Sequence, residues 1–146
     1  MAETDAPNLH LQQVYTGPDG NLARYTSEEI DIPNAMPVAD LIFVAELPRG
    51  MDIQEVKLIT TDVAAAGDAL NVGTRQKGKG TWVDDEDAFI GAAGAIAALG
   101  VVSSLDVGRK PLFIDQPNVF LTLKPVNVVG AAGKVIVMID YFWRGI

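Results

Sequence analysis

The longest run of carboxylates, Asp-Asp-Glu-Asp at residues 84–87, is the first place to look for chemistry. Its oxygens could bind Ca²⁺, but the run lacks the alternate spacing, the Gly and the distant Glu of an EF-hand loop. Acid–base catalysis needs carboxyl groups whose pKa values are pushed apart, and four adjacent acids without an evident pocket do not provide this. Acids that precede an apolar run are typical of a helix start, where they accept hydrogen bonds from free N–H groups and favour the dipole. We expect a helix N-terminus here, with calcium binding as the alternative.

Other reactive residue types are nearly absent. The sequence has no Cys, which excludes disulfides, thiolate zinc sites, iron–sulfur clusters and thiol nucleophiles. Its one His, His10, cannot by itself form a multi-histidine metal site, and it makes a Ser-His-Asp triad a poor hypothesis. The sequence therefore predicts no catalytic residue, no metal site and no cofactor, and we expect a protein that is not an enzyme.

A basic loop at residues 75–80, Arg-Gln-Lys-Gly-Lys-Gly, carries Arg75, Lys77 and Lys79. It lacks the Gly and Lys spacing of a phosphate-binding loop and no helix start follows it, so we expect a solvated hairpin tip or a contact with an acidic partner. Trp82 follows the loop directly. A Trp at the base of a loop serves either as a lid on the core or as a platform for a ligand.

The overall charge limits the possible partners. The formal net charge is −8 at pH 7, and a polyanion such as nucleic acid is bound by Lys and Arg, so we expect no direct nucleic-acid partner. No basic segment followed by an apolar one marks a secretory signal, and we expect no Sec export. Residues 88–102 are continuously apolar but fall about five residues short of a bilayer span. Their small side chains favour a core helix or a buried loop, and we expect no membrane partner.

Two apolar runs near the end, at residues 118–124 and 134–143, alternate with the period of two that is typical of strands. The second run is mostly apolar on both faces, which predicts a strand in the middle of a sheet or between a sheet and a partner. In that run, one face carries Val135, Val137, Ile139, Tyr141 and Trp143, and the other Ile136, Met138 and Phe142. Further strands are predicted at residues 11–15, 21–32 (as an edge), 39–47, 53–61, 69–74 and 111–115. Short strands at this spacing indicate a β-sandwich or barrel, in one domain over residues 11–146 that follows a flexible N-terminal arm at residues 1–10.

The order of these features resembles the small jelly-roll decoration, or cement, proteins on the capsids of tailed bacteriophages. The resemblance rests on Ile-Asp-Ile-Pro at residues 30–33, the strand at 56–61, the turn and strand at 67–73, the Gly/Ala-rich middle, and Tyr-Phe-Trp at 141–143. It implies a mainly β fold, a single-domain antiparallel β-sandwich of jelly-roll type, with one short helix or Gly/Ala-rich loop near residues 86–102.

The resemblance also implies a function. Such a protein is made in the host cytoplasm and binds the outside of the capsid across junctions of the major capsid protein, as a dimer or trimer that stabilises the shell. The residues that we expect at protein interfaces are Leu9, His10, Leu11, Arg75, Lys77, Lys79, Trp82, Val128, Val129 and Phe142. Two alternatives are a carbohydrate- or receptor-binding sandwich that uses Trp82, Tyr15 or Trp143, and a hydrolase that uses residues 84–87 with a divalent ion.

Overall fold

The computed structural model describes residues 3–6, 22–96, 99–105 and 111–144, which contain strands and no helix. No helix in this part of the chain is long and apolar enough to cross a membrane. The strands are β1 (Glu3–Asp5), β2 (Leu22–Thr26), β3 (Ile30–Ile32), β4 (Leu41–Leu47), β5 (Met51–Asp62), β6 (Ala69–Gln76), β7 (Asp85–Ala95), β8 (Gly100–Ser103), β9 (Leu112–Phe113), β10 (Val119–Pro125) and β11 (Gly133–Trp143).

The strands form two sheets that pack as a sandwich. Sheet A has the order β1-β4-β10-β6-β7, and sheet B has the order β2-β11-β5-β8, with β3 also on β11 and β9 also on β5. All pairs are antiparallel except β1 with β4, which is parallel. The predicted mainly β, jelly-roll-like sandwich is confirmed.

Strand β11 lies in the middle of sheet B, as its sequence predicts. It pairs with β5 on one side and with β2 and β3 on the other. Four alternate side chains, Val135, Val137, Ile139 and Tyr141, are fully buried between the sheets. Burial of a side chain of this size contributes about 1.5–3 kcal/mol, so this one strand supplies a large part of the apolar core.

The helix or loop predicted near residues 86–102 is wrong, because most of this stretch forms strands β7 and β8. Phe89 and Ile90 of β7 are both buried in the core, and register shifts in the β6–β7 pair accommodate these consecutive apolar residues. Gly73 of β6 permits the close pairing, since a Cβ there would lie 2.1 Å from the backbone oxygen of Asp85. Strand pairing thus overrides the helix propensity of the Ala-rich sequence.

The other strand predictions are confirmed where the structure describes them. The segment at 21–32 forms two short strands, β2 and β3, and the segment at 111–115 contains β9. The strand predicted at residues 11–15 lies outside the described residues. Within the predicted N-terminal arm, Glu3–Asp5 forms strand β1 on the edge of β4, and the amide of Ala6 donates a hydrogen bond of 2.8 Å to the carbonyl of Phe43.

Candidate assembly surface

The face of sheet B that points away from the core carries several exposed apolar side chains, among them Leu22, Val101 and Phe113. Residues that alternate with the buried ones must lie on this opposite face, because successive side chains in a strand point to opposite sides. We call this surface the sheet B outer face. It comprises Leu22, Arg24, Thr26, Asp52, Glu55, Lys57, Ile59, Val101, Ser103, Phe113, Ile136, Met138, Asp140 and Phe142.

The first apolar row of this face crosses three strands. Ile136 of β11 is paired with Ile59 of β5, and Ile59 is paired with Val101 of β8. Ile136 and Ile59 are half-buried by their neighbours, while Val101, at the sheet edge, is 57% exposed. Met138, two residues after Ile136 on the same face, extends the apolar area. Outer faces of antiparallel sheets are normally polar, so a row of this kind is a candidate contact surface.

A second row, which contains three apolar residues and Asp52, lies six residues further along β11. Phe142 is paired with Leu22 of β2 on one side and with Asp52 of β5 on the other, and Asp52 is paired with Phe113 of β9. Leu22 is 63% exposed and Phe113 is 46% exposed. The guanidinium of Arg144 lies 5.6 Å from the ring centroid of Phe142, and its Nε donates to Asp52 Oδ2 at 3.0 Å.

The charges between the two apolar rows are paired within the face. Arg24 donates from Nε to Asp140 Oδ1 at 2.7 Å and from its terminal nitrogen to Oδ2 at 3.2 Å. The hydrogen bond and the charge of Arg24 hold the pKa of Asp140 below its ordinary value of 3.8. Lys57 Nζ lies 3.8 Å from Glu55 Oε1. The Ser103 hydroxyl donates to the other oxygen of Glu55.

The charges in and between the two apolar rows are therefore balanced. With the adjacent Arg144 this region carries three cations, which the pairings above match with three carboxylates. At one end of the same face, Lys134 Nζ lies 3.5 Å from Glu29 and 4.0 Å from Asp31. The whole chain, in contrast, carries a net charge of −8. The excess negative charge must lie on other parts of the molecule.

The outer face of sheet A differs, because the chain itself covers its aromatic residues. The rings of Phe43 and Phe120 pack edge to face with centroids 5.5 Å apart. Lys77 Nζ lies 4.1 Å from the first centroid and 4.6 Å from the second, and it also pairs with Asp5 of β1 at 3.4 Å. Phe43 is only 1% exposed. The predicted interface residue Lys77 thus contacts its own domain.

Ion pairs extend across the same face of sheet A. Arg75, also a predicted interface residue, lies 3.5 Å from Glu3 and 3.9 Å from Asp84. Lys124 Nζ lies 2.8 Å from Glu86 Oε2. Strand β1 is therefore attached to the domain by its pairing with β4 and by two ion pairs from the β6–β7 region.

The acidic run at residues 84–87 does not start a helix, and that prediction is wrong. Asp84 accepts a hydrogen bond from the backbone amide of Gln76 at 2.9 Å, and Glu86 pairs with Lys124. Asp85 Oδ1 accepts from the amide of Asp87 at 3.3 Å. Across the described residues, no group of three potential ligands is placed to hold a metal ion.

Trp82 is placed as a lid on the core. It is half-buried against the core cluster, and its indole N–H donates to Thr74 Oγ1 at 3.1 Å. Its backbone amide donates to the side-chain oxygen of Gln76 at 3.2 Å. A side chain held in this way offers little free ring surface, which weakens the hypothesis of a carbohydrate platform; Tyr15 lies outside the described residues.

The remaining predicted interface residues fall in different places. Lys79 is exposed in the β6–β7 loop, and Val128 is 58% exposed in the β10–β11 loop. Val129 is buried in the core, where its backbone pairs with Ala35 and Met36. Phe142 lies on the sheet B outer face. Leu9, His10 and Leu11 lie outside the described residues.

Sequence reasoning missed most of the sheet B outer face. The alternation in β11 places Ile136, Met138 and Phe142 on one side, but it does not identify their neighbours on other strands. Ile59 and Val101 join Ile136 only through the registers of β5 with β11 and of β8 with β5. The sequence feature that could have indicated this face was the second apolar side of β11.

No protein-family model matches the sequence, and no curated protein matches it significantly. Solved structures do match. A chain in the capsid of Ralstonia phage GP4 superimposes with a TM-score of 0.66 at 16% identity, over 99% of both chains. A chain in the capsid asymmetric unit of cyanophage Pam1 gives a TM-score of 0.64 at 18% identity, over 90% of this chain and 94% of that one.

A third match is the acid-stable capsid structure of Helicobacter pylori bacteriophage KHP30. Its TM-score is 0.53 at 14% identity, over 86% of this chain and 94% of that one. The chain shares its fold with chains of phage capsids. At these identities the similarity concerns the fold.

Proposed function

We propose that this chain is a structural virion protein that binds the outside of a bacteriophage capsid across junctions of the major capsid protein and stabilises the shell. The observation that carries the proposal is the similarity to phage capsid chains over nearly the full length of both partners, which reaches 99% of each chain for phage GP4. The likeness therefore involves the complete fold and not one motif within it.

The surface chemistry supports this proposal. A protein that stabilises a shell needs exposed area that can be buried against other proteins, and the sheet B outer face offers two apolar rows. The described residues hold no metal-ligand cluster, and the acidic run at 84–87 is engaged by Lys124 and by backbone amides. Adhesion to other proteins uses the available features better than catalysis does.

The charge of the chain supports an exterior location. Packaged DNA presents a dense array of phosphates to the inner surface of a capsid, and a chain with a net charge of −8 would be repelled there. On the outer surface the same charge favours solubility of the finished particle. We therefore place the protein on the capsid exterior, after synthesis in the host cytoplasm.

Co-sedimentation with purified particles tests the proposal. Purified protein is mixed with phage particles that lack it and centrifuged through a density cushion. We expect saturable binding to intact particles, and particles that release their DNA at a higher temperature once the protein is bound. Absence of binding to intact particles, or binding only after the shell is opened, would contradict an exterior stabilising role.

A further inference from the structure

We infer that the sheet B outer face packs against the same face of a second copy of this chain, so that the protein forms a two-fold dimer. This inference deepens the proposed function. It rests on that function in one respect, namely that the dimer is the unit that binds the shell. The self-association itself can be measured without any capsid. Three observations support it: the apolar rows, the pairing of charges within the face and the size of the face.

The apolar rows need a cover that is itself apolar. One row consists of Ile136, Ile59 and Val101. The second row contains Leu22, Phe142 and Phe113, and Met138 lies between the two rows. Among the side chains that the structure describes, Lys77, Arg75 and Lys124 cross the outer face of sheet A in ion pairs. The outer face of sheet B is therefore the better surface for a partner.

The charge pattern favours a second copy over a charged partner. Two chains that each carry a net charge of −8 repel one another, and they approach most easily through a region whose own charges are balanced. On the sheet B outer face, Arg24 pairs with Asp140, Lys57 with Glu55, and Arg144 with Asp52. These pairs are complete within one chain, so a partner does not have to supply a countercharge.

The size of the face matches a stable dimer. Strands β11 and β5 contain 11 and 12 residues, and the shorter strands β2, β3, β8 and β9 flank them. At about 3.4 Å per residue and about 4.8 Å between strands, such a sheet covers roughly 600 Å² per copy. Specific interfaces bury about 800 Å² per partner, so the face is of the required order. The rim is polar, with Lys134 near Glu29 and Asp31.

The experiment uses the full chain and compares two variants that carry opposite charges at position 59. Ile59 is central in the first row, and Ile59→Asp and Ile59→Arg each place like charges in the two facing copies. We expect the wild type to sediment as a dimer at micromolar concentration. Each variant should raise the dissociation constant at least about a hundredfold, because like charges that face each other cost several kcal/mol and 1.4 kcal/mol is tenfold. An equimolar mixture of the two variants should form dimers again.

The control and a second variant make the result unambiguous. Val83→Asp changes an exposed apolar residue outside this face, in the β6–β7 loop, and should leave the dimer intact. If an Ile59 variant fails to fold, as judged by circular dichroism, the more exposed Val101 replaces it in the same design.

Three outcomes would overturn the inference. The first is a wild type that stays monomeric at high concentration. The second is a dimer that the Ile59 and Val101 variants leave unchanged. The third is a monomer whose capsid binding is abolished by the Ile59 variants, which would assign the face to the shell and leave the proposed function standing. A dimer that binds no particle would instead contradict the proposed function and leave this inference intact.

Discussion

Ile59 of β5 lies directly opposite Ile136 of β11 on the outward side of sheet B, while their chain neighbours Leu58 and Val137, also paired with each other, are buried between the sheets. The same two strands therefore supply both the core of the domain and the surface that we assign to self-association. Because strand residues alternate between faces, any substitution on β11 acts mainly on one of these two roles.

Substitution of isoleucine by alanine at two positions of β11 distinguishes the two roles. Ile139→Ala removes a fully buried side chain and should lower the free energy of unfolding by about 2–5 kcal/mol. Ile136→Ala, on the half-exposed outer face, should cost about 1 kcal/mol or less, because surface substitutions have small effects on folding. Urea denaturation at a concentration that keeps the protein monomeric measures both. Equal losses at the two positions would contradict the assignment of the faces.

Replacement of Gly73 tests the close approach of β7 to β6. A Cβ at this position would lie 2.1 Å from the backbone oxygen of Asp85, so the strands must separate to accommodate Gly73→Ala. We expect a loss of at least about 2 kcal/mol, in the range of severe core overpacking. Gly80→Ala is the comparison and should cost less, since the nearest atoms to its Cβ belong to the side chain of Gln76, which can move away at the cost of its hydrogen bonds to Trp82 and Pro117. Thermal melts of the two variants should differ clearly, and a tolerated Gly73→Ala would show that β7 pairs elsewhere.

The ion pair of Arg24 with Asp140 makes stability depend on pH in the acid range. Arg24 holds the pKa of Asp140 in the folded state below its ordinary value of 3.8, so the contribution of the pair is complete above that pH and is lost as the pH falls through the lower, folded-state value. The stability difference between the wild type and Asp140→Asn should therefore be constant near neutrality and shrink below about pH 4. Denaturant titrations at several pH values measure it. A difference that grows on acidification would have the wrong sign.

Lys77 holds strand β1 to sheet A. Lys77→Gln removes both the pair with Asp5 and the cation above Phe43 and Phe120, and it should increase hydrogen exchange at Thr4, Asp5 and Ala6 several-fold. High salt should produce part of the same effect in the wild type. Lys79→Gln, at an exposed position of the same loop, is the control. Unchanged exchange in Lys77→Gln would show that backbone pairing with β4 alone retains β1.

Local periodicity was sufficient to predict the strands that carry most of the core. The alternation in β10 and β11 and the apolar stretches of β4 and β5 identify these elements, because one or both faces of each must leave water. The jelly-roll arrangement came from a family resemblance. Strand β7 could not be predicted in this way, since its Gly and Ala residues carry little pattern and its conformation depends on pairing with β6 at Gly73.

The candidate surface depends on long-range register, which the sequence does not show. Residues 59, 101 and 136 are distant in the chain and meet only after β5, β8 and β11 pair. The contacts of Lys77 with Phe43 and Phe120 likewise depend on the pairing of β4 with β10, which the sequence does not show. For Val129 the sequence allows either an interface or burial, and the structure pairs its backbone with Ala35 and Met36 and buries its side chain.

The most direct test of the proposed function is electron cryomicroscopy of intact particles of a phage whose genome carries this sequence. We expect density for the two-sheet domain on the outer surface, repeated with the symmetry of the shell and located above the boundaries between major capsid subunits. Particles prepared without the protein should lack that density. Density for the domain confined to the tail or the capsid interior, or particles that contain none of the protein, would contradict the account.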